Sequence, residues 1–445
     1  MTRLIVLLAA AAAVIATAPA GASAAEYVPG ELVVRYDDET SRAERHAIQR
    51  RTRIDHERTL PGGARTVSVG DGQTVAGALA AVRADPRVEY AAPNYVARAS
   101  FVPNDPGFTG PGGWRLEQWN FDGPASVNAP QAWDLARAAG APGGRGATVA
   151  VLDTGVAYEG RGRYKAAPDL YPNRFTRGYD FVDEDRTPID ENGHGTHVTG
   201  TIAQRVNNGI GLTGIAYGAK VMPVRVLDER GDGDSVAISR GIRFAADRGA
   251  DVINLSLEFD AGVGYAQVPE MIRAIRYAHR KGAVIFAAAG NQGGRAVAYP
   301  ARTRYVISVA ATTERSCQAE YSNTGTGLDL AAPGGGGDAP NADNPADLTV
   351  CRPGKGGRPI LQQTFARERV PGRFGYPTGY KGTSMASPHA AAVAALLIAS
   401  GRLGPDPSPL AVEHRLEATA RDLGPVGRDL RYGAGLIDAA AALAP

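Results

Sequence analysis

Short apolar runs alternate with helical stretches through the middle of the chain. The runs are rich in Val, Ile and Ala and are typical of buried strands, at residues 147–152, 221–227, 252–257, 284–288 and 306–310. Helical periodicity fills intervals between them, at residues 236–248 and 270–281. Strands joined by helical crossovers form a parallel sheet that is covered on both faces. The pattern therefore predicts an α/β domain of three layers with a mostly parallel central sheet.

Polar residues stand at the ends of several predicted strands. Asp153, Ser256 and Asn291 each lie at or just beyond the carboxyl end of an apolar run. Ligands of open parallel sheets bind at that edge. These side chains are therefore the first candidates for a functional site.

Between residues 26 and 99 the pattern is that of a smaller α+β unit. Strands are expected at residues 31–36, 65–69 and 88–92, and helices at residues 41–51 and 74–83. The element order β-α-β-β-α-β predicts a ferredoxin-like domain. Residues 101–107, which contain Pro and Gly, are interpreted as the linker to the larger domain.

The N-terminus has the pattern of a signal peptide. Arg3 precedes an apolar run at residues 4–18, and the small residues 22–24 offer a cleavage point. A membrane anchor is the weaker alternative, because the run is short and is followed at once by Pro19. We therefore expect residues 1–24 to be removed and the product to be secreted and extracellular, with no membrane attachment.

The net charge and the cysteine content indicate which binding partners and which cellular compartment to expect. Lys and Arg total 48 against 46 Asp and Glu, a net charge of +2, which predicts no nucleic-acid partner. The two cysteines, Cys317 and Cys351, are expected to form a disulfide in an exported protein. Closing that loop stabilises the fold by about 3–4 kcal/mol on the chain-entropy model. The alternative, a cysteine nucleophile, has no cysteine near a motif histidine in the sequence.

Four short segments carry candidate chemistry. They are Asp153-Thr-Gly, Asn-Gly-His194-Gly-Thr-His, Gly-Asn291-Gln-Gly and Gly-Thr-Ser384-Met-Ala. Together they supply a carboxylate, an imidazole, an amide donor and a hydroxyl, which are the parts of a serine hydrolase. Ser384 precedes an apolar helical run, so its hydroxyl is expected near the positive end of a helix dipole, with Pro388 in the first turn.

Most of these motifs also fit another class of site. Ser384 could be only a helix N-cap, and His194 with His197 has an i, i+3 metal-site spacing but lacks a third ligand. Asp153-Thr-Gly is the tripeptide of aspartic proteases, which need two copies where this chain has one. Residues 209–214 match G-x-G-x-x-G but follow a helix instead of a strand. An esterase is disfavoured because the serine lacks the G-x-S-x-G elbow.

From about residue 104 to residue 440, the chain resembles the subtilisin-like serine proteases, or subtilases. The resemblance rests on the four motifs and on the chain order Asp, His, Ser. It implies that Asp153 orients His194 and that His194 acts as general base and acid. It also implies Ser384 as the nucleophile and Asn291 as the side-chain oxyanion donor.

The segment before the motifs resembles the subtilase propeptide. The resemblance implies that residues 25–100 assist folding and inhibit the enzyme until they are removed, and that residues 101–445 form the catalytic domain. Cleavage is expected between about residues 96 and 103. A folding helper is physically reasonable, because a large parallel sheet joins distant segments and folds slowly.

Substrate binding in subtilases is by strand addition. The resemblance implies that the edge is Leu255, Ser256 and Leu257, and that the far side of the specificity pocket is Ala287, Ala288, Ala289 and Gly290. The chain departs from the family at Glu258, where glycine is usual. The Glu258 side chain either narrows the pocket and favours basic substrate residues or turns to solvent, and the sequence leaves both open.

The resemblance also implies a structural calcium site. The positions that match its ligands are Gln118, Asp169, Val206, Asn208, Ile210 and Leu212. Carboxylate, amide and backbone carbonyl oxygens are the ligands that Ca²⁺ prefers. No organic cofactor is expected.

The sequence thus predicts a secreted serine endopeptidase that is made as a self-processing precursor. We expect a monomer that acts on protein or peptide substrates, with its own propeptide as an intramolecular inhibitor. The alternative from another class is a catalytically silent subtilase homologue that acts as a binding or structural protein.

Overall fold

The structure is a computed structural model that describes residues 27–96, 101–170, 174–340 and 350–445. The chain separates into two compact units, Met1–Ala99 and Ser100–Pro445. The predicted signal peptide, residues 1–24, lies outside the described residues. So do residues 97–100, within the segment where propeptide cleavage is expected. Both assignments stay predictions.

The first unit is a four-stranded antiparallel sheet with two helices. Its elements are β1 (Tyr27–Tyr36), α1 (Arg42–Thr52), β2 (Ile54–Thr59), β3 (Arg65–Val69), α2 (Val75–Arg83) and β4 (Val88–Tyr95). The strand order β2-β3-β1-β4 is that of the predicted ferredoxin-like unit. Its core includes the fully buried side chains of Leu32, Val34, Ile48, Val67 and Val82. Strand β2 is exposed apart from Ile54, so it lacks the alternating pattern that would have located it.

The second unit contains a seven-stranded parallel sheet. Its strands are β5 (Thr148–Asp153), β6 (Tyr179–Asp180), β7 (Lys220–Arg225), β8 (Val252–Leu255), β9 (Val284–Ala288), β10 (Ile307–Thr312) and β11 (Leu330–Pro333). They pair in the order β11-β10-β9-β8-β5-β7-β6. A separate antiparallel ribbon consists of β12 (Thr364–Phe365) and β13 (Phe374–Gly375). The structure confirms the predicted parallel sheet.

Helices lie on both faces of this sheet. They are α3 (Trp114–Glu117), α4 (Ala129–Ala138), α5 (His194–Ala203), α6 (Ser235–Asp247), α7 (Pro269–Arg280), α8 (Thr383–Ala399), α9 (Pro409–Thr419) and α10 (Ala439–Leu443). Strand β5 shows why three layers form. Val149 and Val151 pack with residues of α5 and α8, whereas Ala150 and Leu152 pack with residues of α6 and α7. Because successive strand residues face opposite sides, one apolar run serves two cores.

Residues 101–107 are not a linker, contrary to the sequence-based interpretation. The Phe101 N–H donates to Asp134 Oδ1 at 2.7 Å, and its ring centroid lies 6.1 Å from that of Trp133. Asp105 is fully buried and accepts the Asn207 N–H at 2.7 Å. Pro and Gly here indicate irregular backbone, but partners far away in sequence hold it in the second unit.

The predicted disulfide between Cys317 and Cys351 is confirmed, with 5.8 Å between the two Cα atoms. Among the helices that the structure describes, none combines the length and apolar character needed to cross a bilayer.

Candidate active site

Asp153 and His194 meet at the carboxyl edge of the central sheet. Asp153 is the last residue of β5 and is fully buried, whereas His194 begins α5. Asp153 Oδ1 accepts hydrogen bonds from His194 Nδ1 at 2.8 Å and from the Thr154 N–H at 2.7 Å. A proton on Nδ1 leaves Nε2 free to accept another. The pair thus has the geometry of an oriented general base.

The turn before His194 is held by Asp190. Its Oδ1 accepts the Gly193 N–H at 2.8 Å, and its Oδ2 accepts the Thr196 N–H at 2.9 Å. These contacts satisfy backbone donors at the start of α5 that the helix itself cannot satisfy. A Cβ on Gly195 would lie 2.1 Å from the Gly155 carbonyl oxygen, so only glycine allows this approach.

Two opposing effects set the pKa of His194. Burial lowers it, because the charged imidazolium loses water, whereas the adjacent Asp153 carboxylate raises it. The net effect is a pKa above the ordinary value. His194 is still about a quarter exposed, which lets its outer nitrogen face the cavity next to it.

Ser384 lies in the first turn of α8, and a proline in the second turn shapes its surroundings. The helix begins at Thr383, so Pro388 is not in the first turn as expected. Pro388 has no N–H to give to the carbonyl four residues earlier, which is that of Ser384. The Ser256 hydroxyl donates to this carbonyl instead, at 2.8 Å.

Two further hydrogen bonds, made by buried side chains, support the contact between Ser256 and the Ser384 carbonyl. Asn254 Nδ2 donates to Ser256 Oγ at 2.9 Å, and Ser387 Oγ donates to Asn254 Oδ1 at 2.7 Å. Asn254 and Ser387 are fully buried. These hydrogen bonds therefore join the end of β8 to the start of α8 and fix the position of Ser384.

His194 and Ser384 line one cavity of about 720 Å³. Within the described residues no hydrogen bond joins His194 Nε2 to Ser384 Oγ. Such bonds are often long in the absence of substrate and shorten in the substrate complex. Ser256, Leu257 and Glu258 line the same cavity, so the expected triad and part of the expected substrate edge come together.

Asn291 is oriented by Thr383. Its Oδ1 accepts the Thr383 N–H at 2.8 Å and the Thr383 hydroxyl at 3.0 Å. This fixes the amide so that Nδ2 points away from Thr383, and Nδ2 donates to Glu258 Oε1 at 3.0 Å. The departure from the family pattern at Glu258 thus contacts the expected oxyanion donor directly. Its side chain does not turn to solvent.

The expected far wall of the specificity pocket is buried in this structure. Ala287, Ala288 and Ala289 are fully buried and, unlike Glu258, are not among the residues that line the cavity. A Cβ on Gly290 would lie 2.7 Å from Glu258 Oε2. Asn323 Nδ2 would be 2.1 Å from the same point, so this amide and the Glu258 carboxylate together cover Gly290. Leu255 is also fully buried, so Ser256 and Leu257 are the edge residues that face the cavity.

A second polar cluster contains most of the expected calcium ligands. Asp169 is fully buried, and its Oδ1 accepts Asn208 Nδ2 at 2.7 Å. Burial, with a smaller contribution from the charge of Asp105, raises the pKa of Asp169 to about 7. The loop with Val206, Ile210 and Leu212 follows α5, and the Gly107 N–H donates to its Gly211 carbonyl at 2.9 Å. Two buried carboxylates, an amide and a carbonyl-rich loop fit a hard cation such as Ca²⁺.

The contacts favour Asp105 over Gln118 as a calcium ligand. Gln118 Oε1 accepts both the N–H and the hydroxyl of Thr213, at 2.9 and 2.8 Å. This neutral oxygen already has two donors, whereas the Asp105 and Asp169 carboxylates carry charges that their N–H partners do not balance. Asp105 is therefore the stronger candidate, and Gln118 stays a prediction. Asp105, which the sequence interpretation placed in a linker, accepts the Asn208 N–H at 3.2 Å and acts electrostatically on Asp169.

Other groups that could suggest a metal have different roles. His197 is buried, contacts the Ile360 carbonyl through Nε2 at 3.0 Å and stacks on Tyr380. Burial lowers the pKa of His197 to about 3. Asp329, Glu413 and Glu417 form an acidic cluster, but Arg428 contacts Asp329 and Glu417 at 2.6 Å each. An arginine thus already pairs with two of the three carboxylates.

Several site residues carry no motif. Asp190 could have been suspected as a helix-start signal before His194. Asp232, Glu368 and Tyr380 line the cavity from loops that are distant in sequence, and no local pattern identifies them.

A parallel α/β sheet with this carboxylate, imidazole and hydroxyl at one edge defines a serine hydrolase of the subtilisin type. The family model described as the subtilase family matches residues 144–435, and that of the fervidolysin N-terminal prodomain matches residues 13–94. The chain belongs to the subtilase family, whose members are serine endopeptidases, and carries a prodomain of this kind.

Named relatives agree with this assignment. A thermophilic serine proteinase of Bacillus sp. (strain AK1) is 33% identical over 410 residues, covering 92% of this chain and 86% of that protein. Thermitase of Thermoactinomyces vulgaris is 38% identical over 302 residues, covering 68% and 87%. A solved protease structure from Pseudoalteromonas arctica aligns with a TM-score of 0.61 and 32% identity, over 77% of this chain and 99% of that one. These relatives disfavour a catalytically silent homologue.

Proposed function

We propose that the chain is a secreted, self-processing endopeptidase that cleaves peptide bonds with Ser384, His194 and Asp153. The observation that carries the proposal is the 2.8 Å contact between Asp153 Oδ1 and His194 Nδ1 beside the cavity that Ser384 lines. The contact fixes the imidazole tautomer that a general base needs.

Acylation is the first half of the proposed reaction. His194 Nε2 takes the proton of the Ser384 hydroxyl while Oγ attacks the scissile carbonyl carbon. The resulting oxyanion accepts hydrogen bonds from Asn291 Nδ2 and from the Ser384 N–H. His194 then gives its proton to the leaving amine, the C–N bond breaks and an ester remains on Ser384.

Deacylation returns the enzyme to its starting state. A water molecule replaces the amine, and His194 Nε2 takes one of its protons as the oxygen attacks the ester carbon. The same two donors hold the second oxyanion. The C–Oγ bond breaks and His194 returns the proton to Ser384 Oγ. The product leaves as a carboxylic acid, which releases its remaining proton to solvent.

The precursor is proposed to contain an inhibitory propeptide, residues 25–100, after a signal peptide. The prodomain match and the predicted N-terminal pattern support this assignment. Phe101 is packed into the second unit, which supports cleavage on its N-terminal side, between residues 96 and 101. We propose a monomer, with protein or peptide substrates.

Calcium is proposed as a structural ion. The resemblance to the subtilases implies such an ion, and the buried carboxylates of Asp105 and Asp169 support it. We assign Asp105, Asp169, Asn208 and the backbone carbonyls of Val206, Ile210 and Leu212 as its ligands. A half-turn of the Asn208 amide would present its oxygen to the ion. The ion would neutralise the two buried carboxylates and tie the first segment of the catalytic unit to the loop after α5.

Expression of the wild type beside Ser384→Ala tests the proposal. The wild type should yield a shortened product that reacts with a serine-directed phosphonylating reagent, whereas the variant should remain full length and unlabelled. Loss of this nucleophile lowers turnover by about 10⁶, with subtilisin itself as the reference case. A variant processed at the wild-type rate would refute self-processing by Ser384.

A further inference from the structure

We propose that Glu258 makes the enzyme selective for a basic side chain on the amino-terminal side of the scissile bond, because such a side chain draws the carboxylate away from Asn291. The inference rests on the proposed function and names its substrate class. It assigns Glu258 two linked roles, recognition of the substrate cation and control of the oxyanion donor.

The contacts of Glu258 are unusual for a carboxylate at the edge of an active site. Oε1 accepts Asn291 Nδ2 at 3.0 Å and the Asn291 N–H at 3.2 Å. Oε2 accepts the Asn291 N–H at 3.0 Å and Gln292 Nε2 at 2.8 Å. These partners are neutral N–H groups, so the hydrogen bonds hold the carboxylate in place without balancing its charge.

Glu258 Oε1 stands where a reaction oxyanion is expected relative to Asn291. A donor in an oxyanion hole lies about 2.7–3.1 Å from the oxygen that it stabilises, and the Asn291 Nδ2 to Glu258 Oε1 distance falls in this range. A fixed negative charge at that point repels the developing oxyanion and occupies its donor. The carboxylate therefore has to move before acylation can be efficient.

The same carboxylate lies at the expected pocket for the substrate side chain. A Cβ on Gly290 would be 2.1 Å from Asn323 Nδ2 and 2.7 Å from Glu258 Oε2. Glu258, unlike Asn323, lines the cavity, so a substrate side chain that reaches this wall meets the carboxylate. The rest of the cavity is also acidic. Asp232, Asp260 and Glu368 line it together with one arginine, Arg230. This charge distribution favours a cationic substrate.

The contact of Glu258 with Asn291 and its place at the substrate pocket together explain how the enzyme could select its substrate. A lysine or arginine side chain pairs with the Glu258 carboxylate and offers it a cation in exchange for the Asn291 amide. The amide is then free to stabilise the oxyanion. An uncharged side chain provides no such exchange, so the carboxylate stays on Asn291 and turnover is slow.

The test is a set of peptides that differ only at the residue before the scissile bond, with Arg, Lys, Gln or Leu there. We expect wild-type kcat/KM to be about tenfold to a hundredfold higher for Arg and Lys than for Gln and Leu, since a close charge pair is worth about that factor. Glu258→Gly should raise kcat for Leu about tenfold with little change in KM, and should raise KM for Arg. The preference should then disappear.

Two further variants sharpen the result. Glu258→Gln keeps an acceptor oxygen but has no charge, so it should lose the preference for basic residues. Glu270→Gln removes an exposed carboxylate on α7 that pairs with Arg273, and should leave both the preference and kcat unchanged. Melting temperatures of all variants identify any that fail to fold.

The outcomes separate this inference from the proposed function. A wild type that cleaves peptides without regard to basic residues, or a Glu258→Gly variant with the wild-type preference, would overturn the role of Glu258 alone. A wild type that cleaves no peptide and takes up no phosphonylating reagent at Ser384 would overturn the proposed function as well.

Discussion

At the scale of single residues, Ser384, the proposed nucleophile, is positioned by groups that take no part in the proposed chemistry. Pro388 leaves the Ser384 carbonyl without a helical donor, and Ser256 supplies the missing hydrogen bond at 2.8 Å. Asp190 does the same for N–H groups at the start of α5. A hydrolase site of this kind depends on such neighbours, because a displacement of about 1 Å can cost about a hundredfold in rate.

The raised pKa of His194 predicts the acid limb of the pH profile. The base must be neutral, so kcat/KM should be low at acid pH and rise as the pH passes the pKa of His194, above the ordinary 6.5. Asp153→Asn removes the charge that raises this pKa and leaves the effect of burial. The midpoint should therefore shift to lower pH, and kcat should fall about 10⁴-fold.

The measurement is kcat/KM for one peptide across the pH range. Asp247→Asn, at an exposed carboxylate on α6, is the control and should keep the wild-type midpoint. A midpoint that stays in place in Asp153→Asn would contradict the assignment of the acid limb to His194.

At the scale of elements, the sequence locates the interior of the sheet better than its edges. Strands β5, β7, β8, β9 and β10 were predictable because both faces are buried and the runs are continuously apolar. Strands β6 and β11 lie at the sheet edges and are short, so they carry too little pattern. Residues 101–107 were misinterpreted because Pro and Gly indicate irregular backbone, whereas distant partners determine whether it packs.

The residues of the candidate sites also fall into two groups, those that a local motif identifies and those that only the fold brings into place. Asp153, His194 and Ser384 stand in recognisable local motifs at strand and helix ends. Asp105 and Glu368 are brought to their clusters by long-range packing that no local spacing encodes. The glutamate at position 258 was visible as a departure from the family pattern, but its contact with Asn291 required the fold.

The junction of β8 and α8 allows a test by paired substitutions. Ser256→Ala leaves the partly buried Ser384 carbonyl without this donor, and we expect the free energy of unfolding to fall by about 1–3 kcal/mol. Adding Pro388→Ala restores a backbone N–H that can reach this carbonyl, so the double variant should recover much of the loss.

Denaturant unfolding of the phosphonylated proteins, which cannot digest themselves, gives these free energies. Ser400→Ala removes a comparable serine-to-backbone hydrogen bond at the end of α8, where water can replace it, and should cost within about 0.5 kcal/mol. Simple additivity of Ser256→Ala and Pro388→Ala would show that the two residues do not share the Ser384 carbonyl.

The calcium loop gives a prediction about Asp105. Chelation should lower the melting temperature of the wild type, since an ion at a hundred times its dissociation constant stabilises the native state by about 2.7 kcal/mol. Asp105→Asn should lower it without chelator and remove most of the chelator effect. Asp329→Asn, at a carboxylate of the acidic cluster that pairs with Arg428, should keep the wild-type response. Equal wild-type melting temperatures with and without chelator would exclude a stabilising ion.

At the scale of the whole molecule, the two units pose different folding problems. In the second unit, β5 pairs with both β7 and β8, for example Val149 with Val221 and with Val252. These pairs join segments far apart in the chain, so loop entropy is lost before burial compensates for it. The first unit has a small antiparallel sheet with its own apolar core.

This difference predicts that the first unit speeds the folding of the second. The experiment uses the Ser384→Ala background, which should prevent processing. There the chain from residue 25 should refold after dilution from denaturant about tenfold faster or more than a chain that begins at Phe101. Adding the separate unit of residues 25–96 should restore part of the rate, with recovery of near-UV circular dichroism as the measurement. Equal refolding rates for the long and short chains would mean that the parallel sheet assembles without help, and the role of the prodomain would then be limited to inhibition.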